Sequence, residues 1–429
     1  MHSKFLTILI LFNLIFCQSL LNRAIGENII FGSPRAYAMG GTNSINGDNS
    51  SLTRYNPSLL KWAVNGDSSF IDLQFNLNSN SERRSILVKD FFGDFLTYAD
   101  YVNNVNTYNY FQGGFISNVN DLLAVGVSYL PLASFNYDYV EEVRGSTDIE
   151  DGDIGLKDPL EGYHQFHSSG VLNTISFGVS LTDINQFSLG FGLNQTLNTT
   201  ITDEFSVDTL STDFENLSLA NDYFSDKSFK TSENFVSIGV SYIENDFLFS
   251  FNIEEDLLIQ TQDFNSYNFI DSLGIISYLD GTNINYIVEG LNYYKPAKVS
   301  FGISYNPRGN SDLTITSELQ HNQYNKFSYF KDSYIYRFGF EYFLPSDIPI
   351  RAGLIYKQSP MIALPDQSII TWGSGGNYGQ FAYDFSCSYT FFDYYYPTLF
   401  VVTDEEYNNF DQVIDSNFSF ILGVKYFLK

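Results

Sequence analysis

The sequence predicts an all-β protein, a transmembrane antiparallel β-barrel of about fourteen strands with an N-terminal plug in its lumen. Three observations predict it. Short stretches alternate apolar and polar residues with a period of two, and no helical period of 3.6 fits them. The links between them alternate between a few residues and a few tens of residues, as tight periplasmic turns and long outer loops do. The 32 Tyr and 41 Phe far outnumber the 3 Met, 2 Cys and 2 Trp, which suits lipid-facing rows and interfacial aromatic girdles.

The chain opens with His2 and Lys4, an apolar run from Phe5 to Phe16, and Cys17, Gln18 and Ser19. This is the layout of a secretory signal peptide, assigned to residues 1–17, and the run is too short to span a bilayer as a helix. Residues 18–66 are too few, and too rich in Gly, Ser and Asn, to build a core of their own. A barrel of this size leaves a lumen that side chains alone do not fill, so the segment is expected inside it as a plug. The barrel then occupies residues 67–429.

The strands follow in order. Ile71, Leu73, Phe75 and Leu77 alternate with Asp72, Gln74 and Asn76; a second strand falls near 107–117; Leu123, Val125, Val127 and Tyr129 alternate with Ala124, Gly126 and Ser128. Ile175, Phe177, Val179 and Leu181 stand against Thr174, Ser176, Gly178 and Ser180, and Phe187, Leu189, Phe191 and Leu193 against Ser188, Gly190, Gly192 and Asn194. Strands near 235–243, 247–255, 297–306 and 312–321 lead to Tyr334, Tyr336, Phe338 and Phe340, which face away from Arg337, Gly339 and Glu341. Strands near 349–357 and 367–374 precede Phe381, Tyr383, Phe385, Cys387, Tyr389 and Phe391, opposed to Gln380, Asp384, Ser386 and Ser388, and the last strand runs over 414–428. Short links rich in Asn, Asp, Gly and Pro are expected around 118–121, 183–186, 244–246, 307–311, 344–347 and 375–378. Long links are expected over 78–106, 133–162, 198–232, 257–295, 322–332, 358–366 and 394–413, so that both ends of the barrel lie on the periplasmic side.

A formal net charge of -27 argues against nucleic acid as a partner. Much of the acid lies in long links, where it solvates the outer face, and its spacing fits no calcium loop, so no metal site is assigned. Catalysis is not expected. The histidines beyond the first residues are His164, His167 and His321; Ser168 and Ser169 adjoin the first two, but no Gly-x-Ser-x-Gly elbow surrounds them. No cofactor is expected.

The N-terminal segment resembles a known family. Phe31-Gly32-Ser33-Pro34-Arg35-Ala36-Tyr37-Ala38-Met39-Gly40-Gly41, then Gly47-Asp48-Asn49-Ser50, then Tyr55-Asn56-Pro57-Ser58, look like the hatch of the FadL/TodX superfamily of outer-membrane transporters for long-chain fatty acids and other hydrophobic compounds. Ser58 stands in place of the family's usual Ala, and Gly47-Asp48 in place of its Asp-Asp pair. The resemblance implies a hatch motif of Arg35, Met39, Gly40, Gly41, Asp48, Asn56 and Pro57, placement in the outer membrane of a diderm, Gram-negative bacterium, and passive uptake of hydrophobic small molecules. The same signature occurs in PorV-like barrels serving type IX secretion, which leaves secreted protein clients as the alternative partners. Arg35 calls for an acidic partner on the lumen wall. Candidate ligand-lip residues in the outer links are Phe205, Phe214, Tyr223, Phe224, Phe264, Tyr267 and Phe269. Arg337 and Arg351 lie on inward rows, within reach of a carboxylate headgroup or of Glu341, Glu318 and Asp384. The final strand resembles the terminal signal read by the barrel-assembly machinery, the expected partner in biogenesis, and the apolar rows make outer-membrane lipid the surrounding solvent.

Overall fold

The structure is a computed structural model that describes residues 26–29, 32–64, 69–145, 159–182, 186–210, 223–229, 233–260, 263–267, 292–308, 312–324, 330–361, 364–397 and 410–428. The expected signal peptide lies outside the described residues. No helix among them is long and apolar enough to cross a membrane, and the crossing is made by strands.

Fourteen strands form the wall: β1 (Ser69–Lys89), β2 (Phe95–Asn118), β3 (Leu123–Ser134), β4 (Val171–Thr182), β5 (Phe187–Thr196), β6 (Asn234–Glu244), β7 (Phe247–Glu254), β8 (Ala297–Tyr305), β9 (Leu313–Gln323), β10 (Ser333–Phe343), β11 (Pro349–Lys357), β12 (Gln367–Tyr378), β13 (Phe381–Pro397) and β14 (Phe410–Leu428). Each pairs antiparallel with its sequence neighbours, and β14 returns to β1 from Ser69↔Leu428 to Ser85↔Gln412, so the sheet closes without a free edge. Closure is what lets backbone N–H and C=O groups sit in hydrocarbon, since along the ladders each finds a partner on the next strand.

The predicted alternation appears as burial. Along β5 exposed and buried residues alternate without interruption, and along β10 Tyr334, Tyr336, Phe338 and Phe340 are exposed while Arg337 and Glu341 are buried in the lumen. The apolar exposed rows form the lipid belt, and the architecture is that of an outer-membrane barrel.

Several links differ from their sequence reading. The 78–106 link shrinks to 90–94, because β1 and β2 keep pairing well past the apolar rows. Asn78, Asn80, Glu82 and Arg84 alternate polar with polar there, which reads as loop although the ladder continues. The turn expected at 375–378 lies instead at 379–380, with Gly379 at φ +62°. Gly375 is inside β12, where a Cβ would sit 2.0 Å from Asp384 Oδ1. Three further long links contribute strands 137–144, 160–169, 199–209, 223–229 and 263–267, which join into one five-stranded antiparallel sheet beyond the barrel.

That outer sheet docks on the extensions of β1, β2 and β14 through a buried polar core. Arg84 pairs with Glu82 and with Asp411; Tyr101 donates to Asp411 at 2.6 Å and Tyr137 to Glu82 at 2.9 Å. Lower down, the β2–β3 ladder covers only Gly113↔Tyr129 to Asn118↔Ala124. Past that point Glu27–Asn28 pairs with Ala133 and Ser134 of β3, and Tyr110 reaches Ser134 Oγ at 2.7 Å. Side chains and a two-residue bridge therefore hold this stretch of wall in place of a strand ladder.

Candidate functional site: a plugged lumen with two chambers

The lumen is filled by residues 32–64, folded as four short helices, α1 (Pro34–Ala38), α2 (Asn43–Asn46), α3 (Leu52–Tyr55) and α4 (Leu60–Ala63), with a 3-10 turn at Pro57–Leu59. Ser33 caps α1 by accepting from Ala36 N at 3.3 Å, and Pro34 follows at the position where a missing N–H costs nothing. Gly40 and Gly41 then take φ +76° and +70°, a left-handed turn that a side chain would strain. Asn56 does two jobs. Its Oδ1 accepts from the Ser58 hydroxyl at 2.6 Å, and its Nδ2 donates to Ser44 O at 2.7 Å, tying the Asn-Pro turn to α2.

Glycines in the wall receive this backbone. A Cβ on Gly353 would lie 2.1 Å from Gly40 N, one on Gly339 2.3 Å from Met39 O, and one on Gly190 2.0 Å from Ser58 N. The inward glycines are thus grooves into which the hatch residues press. Polar contacts complete the fit: Ser50 N and Oγ both donate to Asp72 at 2.9 Å, Ser58 Oγ lies 2.6 Å from Ser241 Oγ, and Ser44 N donates to Glu318 at 3.1 Å.

The charges sort into pairs. Arg35 meets Glu341 at 2.6 Å; Arg351 bridges Glu341 and Asp384, both at 2.6 Å; Arg337 holds Glu318 at 2.7 Å. Asp48 bonds Ser33 and Lys425. Burial pushes the Asp48 carboxyl up, but Lys425 and Arg35 beside it bring it down to about 2. Arg351 is therefore committed to wall acids, while Arg337 holds Glu318 through Nη1 and keeps a buried Nε that is unpaired among the described residues.

Two chambers flank α2. The inner one, about 700 Å³, opens among the short turns and is lined by Arg35, Asp48, Trp62, Phe247, Arg351 and Phe427. The outer one, about 160 Å³, is lined by Asn43, Arg54, Glu254 and Lys298 below and by Pro360, Met361 and Leu364 of the β11–β12 link above. Here Arg54, Lys295 and Lys298 all converge on Glu254, at 3.2, 2.9 and 3.7 Å. Three basic side chains share one carboxylate, in a chain whose net charge is -27. Sequence reasoning missed this group. Its only local signal is parity, which puts Lys298 on the inward row with Ser300 and Gly302, in register with Glu254.

The aromatic lip candidates fall on the outer sheet or outside the described residues. Phe205 lies on 199–209, Tyr223 and Phe224 on 223–229, and Phe264 and Tyr267 on 263–267. Backbone register sets Tyr223 opposite Phe205 and Phe224 opposite Tyr267. Phe214 and Phe269 lie outside the described residues. His164 binds Glu141 at 2.7 Å, while Ser168 Oγ donates to Phe135 O at 2.8 Å, so this Ser and His are not arranged as nucleophile and base.

A fourteen-stranded barrel of this fold has solved counterparts. A Pseudomonas aeruginosa FadL homologue matches with TM-score 0.62 at 13% identity, covering 94% of this chain and 99% of that one. The chain has the fold of the FadL and TodX transporters. The toluene transporter TodX of P. putida aligns with TM-score 0.54 at 12% identity over 92% of this chain and 97% of its own, and the Ralstonia pickettii toluene transporter TbuX with 0.54 at 14% over 92% and 97%. No protein-family model matches the sequence, and no curated protein matches it. At these identities the likeness is one of fold; the FadL-like barrel's cargo must be argued from its own chambers.

Proposed function

We propose that this FadL-like barrel is a passive outer-membrane channel for hydrophobic small molecules, and that it takes those with an anionic head, long-chain fatty acids among them. The observation that carries this reading is the outer chamber, where Arg54 and Lys298 line the wall beside Glu254, with Lys295 buried behind it, beneath the apolar Pro360, Met361 and Leu364. An acyl chain gains roughly 25 cal/mol for each Å² of apolar area it buries, and the donors of Arg54 and Lys298 offer the carboxylate partners. The likeness to a FadL homologue and to a toluene transporter supports the apolar half of the reading. The cargo is caught outside, held in the outer chamber, and released when the plug shifts; no nucleotide or proton coupling is required.

The test is uptake of a labelled long-chain fatty acid by cells lacking their own outer-membrane transporter and expressing the intact chain at controlled surface levels. Saturable uptake is expected, lost on deletion of residues 31–58. Lys298→Gln is expected to raise the half-saturating fatty-acid concentration about tenfold, the effect of one charge-assisted hydrogen bond, while leaving toluene entry unchanged. Absence of uptake from a correctly assembled barrel would refute the channel reading. Equal effects of Lys298→Gln on both compounds would refute the anionic head.

A further inference from the structure

The two chambers nearly touch. Along β7 the inner one reaches Leu248 and the outer one Asn252; along β8 they reach Ser304 and Ser300, and along β9 Thr314 and Glu318. Four residues of strand span about 13 Å, and side chains alternate between faces, so a single inward residue separates the two linings on each strand. Those residues are Ser250, Gly302 and Thr316, all buried in the lumen. Ser250 and Gly302 stand opposite each other in the β7–β8 ladder.

Wall residues this small do not close the lumen by themselves, and a plug side chain does it for them. Ile45 on α2 is 2% exposed, and a Cβ on Gly302 would lie 2.8 Å from the Ile45 Cβ and 2.9 Å from Ser250 Oγ. The neighbours of Ile45 face one chamber each: Asn43 and Ser44 line the outer one, Asn46 and Gly47 the inner one. α2 is a single turn that follows the left-handed Gly41, so it can swing without unwinding a longer helix. Two hydroxyls at this septum are left over. Ser44 Oγ and Ser250 Oγ are buried and have no hydrogen-bond partner among the described residues. An unpaired buried hydroxyl weakens the closed arrangement, and water or a polar head group passing between the chambers would satisfy both.

We propose that Ile45 is the gate of an axial path: displacement of α2 joins the chambers along β7 and β8, and cargo moves from the outer chamber into the inner one and on to the periplasm. An extended acyl chain has nearly the cross-section of an isoleucine side chain, so one displaced side chain clears room for it. The inner chamber suits a receiving role. It opens among the short turns and combines the apolar Leu59, Trp62, Leu248 and Phe427 with the Arg35 guanidinium, whose side chain is 28% exposed. The competing exit is sideways through the wall between β2 and β3, where the Tyr110 hydroxyl on Ser134 stands in for ladder bonds. The path rests on the channel reading for its cargo, but the gate can be tested without any cargo.

In planar bilayers the purified Ile45→Ser chain is expected to carry a steady current where the native chain carries none, because the gap it leaves admits water. Adding Gly302→Val, whose side chain enters the vacated space, is expected to stop the current again. General loosening of the plug would give the current without the rescue and would overturn Ile45 as the gate. So would an Ile45→Ser barrel that shows heat-modifiable mobility and stays silent. Uptake of a labelled long-chain fatty acid by cells then reads the direction. Maximal uptake should rise about threefold with Ile45→Ser, return to the native level when Gly302→Val is added, and stay at that level with Tyr110→Phe, which loosens the wall between β2 and β3. A gain from Tyr110→Phe and none from Ile45→Ser would show sideways exit and overturn the axial path. If the native chain takes up no fatty acid, the cargo reading falls, and the currents still decide whether Ile45 closes a path through the lumen.

Discussion

Replacing Gly190 and Gly353 together by valine is expected to unseat the plug and turn a closed barrel into a steady conductor. Each new Cβ would fall about 2 Å from plug backbone, at Ser58 N and Gly40 N respectively. Neither neighbour is a flexible side-chain end, so the contact cannot be relieved by a rotamer change. Overpacking of this kind costs about 1–3 kcal/mol per site, and the two sites grip opposite ends of the hatch, the Asn56-Pro57 turn and the Met39-Gly40 turn. The wall strands themselves lose nothing, because β-branched residues suit a ladder and both positions face the lumen. In planar bilayers the double variant should show a sustained open conductance, while the native chain and Phe338→Leu, a change on the lipid face, should stay closed. A variant that still shows heat-modifiable mobility yet conducts no more than the native chain would mean that these glycines do not seat the plug.

The second large effect is expected at the other end of the chain. Tyr426→Asp with Leu428→Asp should abolish assembly in the outer membrane. Tyr426 pairs with Phe381 on one side and Ile71 on the other, its ring 5.0 Å from that of Phe381, and Leu428 opens the closing ladder opposite Ser69. Both lie near the periplasmic edge, where a carboxylate costs about 0–1 kcal/mol in the folded barrel, against about 2–4 for the worst charges at the midplane. The folded state alone therefore does not explain a complete loss; the terminal residues are expected to act as the signal for assembly. The two causes separate experimentally. Refolding from urea into detergent should recover the double variant in good yield, whereas cells should hold almost none in the outer membrane. Normal surface levels would show that the terminal residues carry no such signal.

The buried pairs of the outer sheet give a stability test. Arg84→Met removes the cation between Glu82 and Asp411 and leaves both carboxylates inside a region from which water is excluded. Such a change typically costs about 3–5 kcal/mol, here borne by the docking of the outer sheet and not by the belt. Limited proteolysis should then cleave the outer sheet at lower protease concentration while the barrel core persists. Protection equal to that of the native chain would place the docking energy elsewhere.

How far the sequence carries can be followed element by element. Along β5 and β10 the inward and outward rows read directly from a period of two, because each residue meets either hydrocarbon or lumen and answers to that solvent alone. The same local rule fails once a strand leaves the membrane. Residues 78–89 look like loop, yet they pair to Lys89, since both faces there meet water or another sheet and the alternation loses its contrast. The five-stranded outer sheet was hidden for a related reason, as its strands come from three separate links and only their meeting creates a partner for each edge.

The site divides along the same line. Strand number, which residues face the lumen and the closing of the last strand on the first were determined by the sequence itself, because the membrane imposes them residue by residue. The tertiary structure alone decided which charges meet. Arg35 and Glu341 are 306 residues apart, and Asp48 and Lys425 are 377 apart. It also decided that Arg337 and Arg351 are paired with wall acids, while Arg54, Lys295 and Lys298 gather on Glu254. Parity says that a lysine points inward; what stands opposite depends on how fourteen strands register around a ring and where the plug lies across it.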